Sequence, residues 1–258
     1  MDLNLRGKTA LVTGASKGIG LAAAEALAEE GCNVHLAARS EDALKANVER
    51  LRAAHQVRVT AHVVDLRNRD DLDRLAADCT DIDILVNNAG DIPRGSISDI
   101  DESRWRHAWE LKVFGYINLT RQVYAAMKAR GQGVIVNVIG AAGERFDFNY
   151  ITGSAGNASL MAFTRALGGR SLLEDNIRAV GINPGPVETD RMVTLLKGQA
   201  QAKWGDESRW RELTASMPQG RGAKPREIGD LVAFLASERS GYTSGVIYTV
   251  DGGMSSRN

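Results

Sequence analysis

Cysteine occurs only twice in the 258 residues, at Cys32 and Cys79, with no CxxC pair and no metal-ligand spacing. That argues against a disulfide-framed secreted scaffold, and no metal is expected; two reduced thiols remain. Excess charge of either sign is also missing. Lys+Arg and Asp+Glu each number 32, a formal net charge of zero, whereas a nucleic-acid binder usually carries a basic surplus. No apolar stretch approaches the roughly 20 residues that cross a bilayer. The N-terminal MDLNLRGKTALVTG has no basic segment followed by a long apolar run, so no signal peptide is expected. These absences point to a cytoplasmic protein with neither nucleic acid nor membrane as partner. There is no short repeat, linker or low-complexity tract. At 43% hydrophobic and 25% charged residues, the chain fits one globular domain with a sizeable core.

What is present is an alternation of short apolar runs and longer amphipathic segments. KTALVTG, NVHLAAR, VRVTAHVVDL, IDILVNNAG, GVIVNVIG, IRAVGINPG and GVIYTVDGG read as strands. GLAAAEALAEEG, SEDALKANVERLRAAH, DLDRLAADC, one long helix WRHAWELKVFGYINLTRQVYAAMKAR, GNASLMAFTRALGGRSL and PREIGDLVAFLAS read as helices. Val- and Ile-rich strands separated by helices predict βαβ units and a doubly wound, mostly parallel α/β sheet with helices on both faces. One irregular region, about 191–218, interrupts the alternation and contains Trp204 and Trp210. Ligands of such sheets sit outside the carboxyl ends of the strands.

The sharpest motif is Thr13-Gly14-Ala15-Ser16-Lys17-Gly18-Ile19-Gly20. It follows a strand and opens a helix, the context in which glycines let backbone N–H groups approach a pyrophosphate at a helix N-terminus. The second strand then ends Ala37-Ala38-Arg39-Ser40, with no acid to bind an adenosine ribose 2′-hydroxyl. Arg39, with Lys17 as a second cation, suits a 2′-phosphate, so NADP(H) is favoured over NAD(H).

With these motifs the chain resembles the short-chain dehydrogenase/reductase family over nearly all its length. The matching pieces are TGASKGIG (13–20), Asp65-Leu66, Asn87-Asn88-Ala89-Gly90, Asn183-Pro184-Gly185-Pro186-Val187 with Thr189, and YTSGVIYTVDGG. The resemblance implies a Rossmann fold. It also implies adenine contact at Asp65 and Leu66, ribose contact at Asn88, Ala89 and Gly90, and a nicotinamide-side segment at Pro184, Gly185, Val187 and Thr189. It makes 191–218 a substrate lid and implies a homotetramer or homodimer.

The same resemblance implies a catalytic serine, a tyrosine thirteen residues later, a lysine four beyond it, and an asparagine on the preceding long helix. Here those positions fall on Gly140, Gly153, Asn157 and Lys112. The interval is kept and the residues are different. Lysine and asparagine have in effect exchanged places, so Lys112 is expected to reach into the site and supply the positive charge. Tyr150, one turn before Gly153, is the candidate phenol. It is expected to swing into the space both glycines leave and to have its pKa lowered by a neighbouring ammonium. Glu144 and Asp147 are alternative acids, Asn157 a ribose or substrate contact, and Arg94 and Arg145 candidate anion anchors. Two glycines are also expected to enlarge the pocket. The leading expectation is an NADP-dependent oxidoreductase acting on a small-molecule substrate, a carbonyl or secondary alcohol. The alternatives are a catalytically silent NADP(H)-binding sensor or regulatory protein and a non-redox lyase.

Overall fold

The computed structural model describes residues 1–256. In chain order its elements are β1 (Thr9–Thr13), α1 (Gly18–Glu29), β2 (Asn33–Ala38), α2 (Glu41–Ala54), β3 (Val59–Val63), α3 (Arg69–Asp78), β4 (Ile84–Asn87) and α4 (Glu102–Trp109). Then come α5 (Gly115–Arg130), β5 (Gly133–Val138), α6 (Ile151–Asp175), β6 (Ile177–Pro184), α7 (Asp190–Trp204), α8 (Pro225–Ala236) and β7 (Ile247–Val250). Every strand read from the sequence is present. The sheet order is β3-β2-β1-β4-β5-β6-β7, and every pairing is parallel.

Strand alternation explains how one sheet serves two cores. Ala10, Val12, Val34, Leu36, Val86, Val136 and Val180 join Leu27, Leu44, Leu51 and Val232, the apolar faces of α1, α2 and α8. The intervening Leu11, Ala37, Leu85, Ile135 and Ala179 join Leu72, Leu75, Leu119, Val123 and Met127 on the other side, under α3 and α5. Successive side chains of a strand point to opposite faces, so a sheet covered on both sides needs apolar residues at every position. The order reverses at β1, which has β2 on one side and β4 on the other. That places a crevice beyond the carboxyl ends of β1 and β4.

Three stretches differ from the sequence reading. The long helix is two helices joined by a π turn over Glu110–Phe114, in which the Gly115 N–H donates to the Glu110 carbonyl five residues back. Helix α6 begins at Ile151, five residues earlier than its apolar pattern shows. The region 191–218 is helical. Thr189 caps α7 through its side chain, and Met192, Leu196 and Ala200 repeat every four residues as its buried stripe. Gly205, at φ +71°, ends it, and a 3₁₀ segment follows over Glu207–Ser216. A helix this polar on its outer face hides its short stripe among glutamines and lysines. Among the described residues no helix is long and apolar enough to cross a membrane.

Candidate active site

A cleft of about 2230 Å³ opens at the crevice, bounded by the turn after β1, the ends of β2, β4 and β5, the start of α6, and α7. Its floor is the glycine turn. Gly14 and Gly18 take φ of +66° and +60°, which favour glycine. A Cβ on Gly20 would lie 2.4 Å from both the Asn88 Nδ2 and the Gly14 carbonyl oxygen, so no side chain fits there. The Thr13 hydroxyl accepts the N–H groups of Asn88 (2.9 Å) and Ala89 (3.1 Å), and Asn88 Nδ2 donates to the Thr13 carbonyl at 3.0 Å. These bonds lock the turn to the end of β4. Helix α1 begins with no side-chain cap and no acid in its first turn, leaving its N–H groups directed at the cleft.

Around this turn, Arg39 is exposed at the end of β2 and lines the cleft. Lys17 is exposed as well and lies 3.2 Å from Asp190 on α7. Asp65 accepts the Arg67 Nε–H at 2.9 Å, a bond that holds its carboxyl below the usual range despite partial burial. On the opposite wall, Gly185 donates to the Val250 carbonyl at 3.0 Å. A Cβ on Gly18 would meet the Thr189 methyl at 3.2 Å, so the segment after β6 packs directly on the glycine turn.

The other end of the cleft holds a buried lysine. Lys112 sits on the π turn and is 9% exposed. Its Nζ donates to the carbonyls of Ile139 (2.8 Å) and Val138 (3.2 Å) and lies 5.3 Å from the Tyr116 ring centroid. Among the described residues no carboxylate pairs with it. Burial, with Arg191 adding repulsion, brings its pKa down to about 7. A Cβ on Gly90 would touch the Lys112 Cδ at 2.5 Å, so the loop after β4 needs glycine at this position for the lysine to pass.

Tyr150 stands at the start of α6. A Cβ on Gly153 would lie 2.2 Å from both Cε1 and Cζ of its ring. The Tyr150 ring therefore fills the volume that a side chain at 153 would take. Asn157 does the same at Gly140, where a Cβ would meet its Nδ2 at 2.9 Å. Gly140 has φ of +138°, which disfavours any side chain. Asn157 is buried, and its Oδ1 has no hydrogen-bond partner among the described residues.

Comparison with known proteins gives this site a lineage. A family model described as enoyl-(acyl carrier protein) reductase matches residues 14–255. The 3-oxoacyl-(acyl carrier protein) reductase of Vibrio cholerae is 34% identical over 259 residues, covering 98% of this chain and 99% of its own. The L-sorbose reductase of Gluconobacter frateurii, solved with NADPH and L-sorbose, superimposes with a TM-score of 0.92 at 33% identity, covering 100% of both chains. The chain belongs to the short-chain dehydrogenase/reductase family. A further solved structure of the same shape is a 7α-hydroxysteroid dehydrogenase in complex with NADH and 7-oxo glycochenodeoxycholic acid, with a TM-score of 0.88 at 29% identity over 98% of this chain and 96% of its own.

In this short-chain dehydrogenase/reductase the fold brings Lys112, Tyr150 and Asn157 to one end of the cleft, but not in the expected arrangement. The Tyr150 ring fills the Gly153 space only, and Asn157 fills the Gly140 space; the two glycines leave little extra room. Nor is the Tyr150 pKa lowered. Burial raises it, opposed by the charges of Arg191 and Arg94, with no contribution from Lys112. Arg94 is paired with Asp147 at 2.6 Å, its guanidinium 5.6 Å from the Tyr150 ring centroid, so neither is free. Glu144 accepts the Thr249 hydroxyl at 2.6 Å, and Arg145 is exposed on the cleft rim. Trp210 lines the cleft, whereas Trp204 packs beneath the Arg209 guanidinium, 4.4 Å from its ring centroid.

Arg191, which sequence reasoning missed, ties α7 to the loop after β4 by bonds to Asp91 (2.9 Å) and the Ile92 carbonyl (2.5 Å). It also acts electrostatically on both Lys112 and Tyr150. Its one sequence signal is its place two residues after the Thr189 helix cap. Arg191→Ala is expected to loosen α7 and raise KM more than it lowers kcat, which steady-state kinetics with saturating cofactor will read.

Proposed function

We propose that the chain is an NADP(H)-dependent oxidoreductase that interconverts a carbonyl and a secondary alcohol through an atypical short-chain dehydrogenase/reductase site. The observation that carries this reading is the buried Lys112 amine on the wall of the cleft, paired with no carboxylate among the described residues and with its pKa brought down to about 7. In this reading Gly140, Gly153 and Asn157 occupy the family's serine, tyrosine and lysine positions, and Lys112 the asparagine position.

The residues present fit the cofactor. The cradle at Gly14, Gly18 and Gly20, which a Cβ would fill, and the uncapped start of α1 suit a pyrophosphate. Ser16, Lys17 and Ile19 complete that turn. Arg39 supports a 2′-phosphate. Asp65 and Leu66 form the adenine side, Asn88, Ala89 and Gly90 the ribose side, and Pro184, Gly185, Val187 and Thr189 the nicotinamide side. NADP(H), when bound, supplies or accepts the hydride. The chain's own residues handle position and proton. Lys112, held by the Val138 and Ile139 carbonyls, exchanges a proton near neutral pH. The Tyr150 phenol is the hydrogen-bond donor to the substrate oxygen. Asn157, with Oδ1 unpartnered among the described residues, accepts a hydrogen bond from ribose or substrate. Residues 191–218 act as the lid, with Arg191 as its latch.

Fluorescence titration tests the cofactor directly. NADPH is expected to bind more tightly than NADH. Arg39→Asp is expected to remove roughly 1.5–3 kcal/mol of NADPH binding and reverse the preference, the scale of a charged hydrogen bond. Tighter NADH binding by the native chain overturns the reading. Turnover is tested at the nicotinamide absorbance with aldehydes, ketones and secondary alcohols. NADPH binding with silence across the panel would turn the reading to a sensor. The family's dimeric or tetrameric assembly belongs to the same proposal, and light scattering on the purified chain tests it.

A further inference from the structure

Away from the cleft, three ligand-type side chains from distant parts of the sequence converge on one face of the sheet. His35 lies on β2 and His62 on β3. Their register pairs His35 with Thr60 and Ala37 with His62, so the two imidazoles are diagonal neighbours on the same face. That is also the face of Ala37 and Leu75, and Cys79 at the end of α3 covers it. The three ligand atoms all lie within 4.8 Å of one another. His35 Nδ1 is 2.8 Å from His62 Nε2, and the Cys79 sulfur is 3.5 Å from the first and 3.8 Å from the second.

We propose that His35, His62 and Cys79 form a binding site for a divalent metal ion of zinc type. A tetrahedral zinc with ordinary bond lengths holds two imidazole nitrogens about 3.3 Å apart and a nitrogen and a thiolate about 3.6 Å apart. The sulfur–nitrogen edges already match, and the nitrogen–nitrogen edge must open by about half an ångström. One thiolate and two imidazoles form a donor set that suits zinc and disfavours magnesium or calcium. The His62 ring also has a carboxylate within reach of the position that an outer partner takes in such sites. Asp78 Oδ2 lies 3.7 Å from Nδ1, the nitrogen pointing away from the cluster. Binding makes two metal–nitrogen bonds and one metal–sulfur bond, breaks the contact between the two imidazoles, and leaves a fourth position for water. Burial pushes the Cys79 thiol up to about 12, so it enters as the neutral thiol and its proton leaves to solvent. No oxidation state changes. The ion would pin β2, β3 and α3 together beside Asp65, which follows β3.

The test uses the full chain freed of metal by a chelator, then titrated with cobalt(II) as a spectroscopic probe and with zinc(II) in competition. One cobalt per chain is expected, with tetrahedral d–d bands and a thiolate-to-cobalt charge-transfer band, both removed by zinc. Cys79→Ser is expected to abolish the charge-transfer band, while Cys32→Ser, which removes the other buried thiol, leaves it intact. Asp78→Asn is expected to weaken binding about tenfold, the scale of an outer-shell partner, and it leaves every ligand in place should a ligand variant fail to fold. Zinc is also expected to raise the melting temperature of the native chain. Absence of a charge-transfer band in the native chain, or its persistence in folded Cys79→Ser, overturns the site.

Discussion

Lys112→Met is expected to lower kcat/KM by about a hundredfold or more and, at the same time, to make the protein harder to unfold. The first effect has the scale of losing a positioned acid–base group. The second follows from burial. The folded-state pKa of about 7 lies well below the ordinary 10.5. Between those values the unfolded chain binds the extra proton, so stability rises with pH across this window and levels off above it. At pH 7 neutralising the amine costs on the order of 4 kcal/mol. Methionine removes that cost and keeps most of the volume. The Val138 carbonyl keeps the Tyr116 hydroxyl at 2.8 Å, leaving only the Ile139 carbonyl without a donor, a cost of about 1–3 kcal/mol. A net gain of about 1–3 kcal/mol remains, readable as a melting temperature raised by several degrees. The pH profile gives a third reading. In carbonyl reduction Lys112 must carry its proton, so the rate should fall as pH rises through about 7; in alcohol oxidation it must be free, so the rate should rise there. Both inflections should vanish in the variant. A lysine that only packs would leave the pH profile of turnover unchanged.

The second large effect is expected at Gly153. Alanine inside an α-helix is normally worth about 1 kcal/mol over glycine. Here the sign reverses, because the new methyl would sit 2.2 Å from two carbons of the Tyr150 ring, and the ring must leave. If the phenol donates to the substrate oxygen, Gly153→Ala and Tyr150→Phe should both lower kcat about a hundredfold while leaving NADPH affinity nearly intact. A Tyr150→Phe variant with native kcat would assign Tyr150 to packing alone, and the loss in Gly153→Ala would then be a matter of stability. Thermal melts of both variants beside the kinetics separate these outcomes.

The cofactor end of the molecule was far more legible in the sequence than the catalytic end, for a physical reason. A pyrophosphate cradle is made of backbone, so its requirements appear as glycines at fixed spacing after a strand, as at Gly14, Gly18 and Gly20. The sheet was legible because its two faces need unbroken apolar strands. The catalytic end depends on where side chains point. Nothing in the order of residues says that Asn157 fills the room beside Gly140, or that Arg191 bears on both Lys112 and Tyr150. Those are consequences of packing between the π turn, the loop after β5, α6 and α7. Helix α7 itself escaped notice because its buried stripe is three residues long, and the π turn because it carries no proline or glycine within it. The convergence of His35, His62 and Cys79 was equally hidden, since strand register sets it and local spacing does not.

The π turn has one more consequence. A single surplus residue in a helical ladder advances the chain by about 100° of rotation. Glu110–Phe114 thus works as a phase adjuster between α4, which faces the α6 side through Trp109 and its bond to the Thr152 carbonyl, and α5, whose Leu119, Val123 and Met127 face the sheet. Removing one residue from it would leave both helices individually sound and set them out of step. Either the α5 stripe or Lys112 would then turn away from its seat. The geometry of the buried amine is therefore written in the length of this segment as much as in its composition.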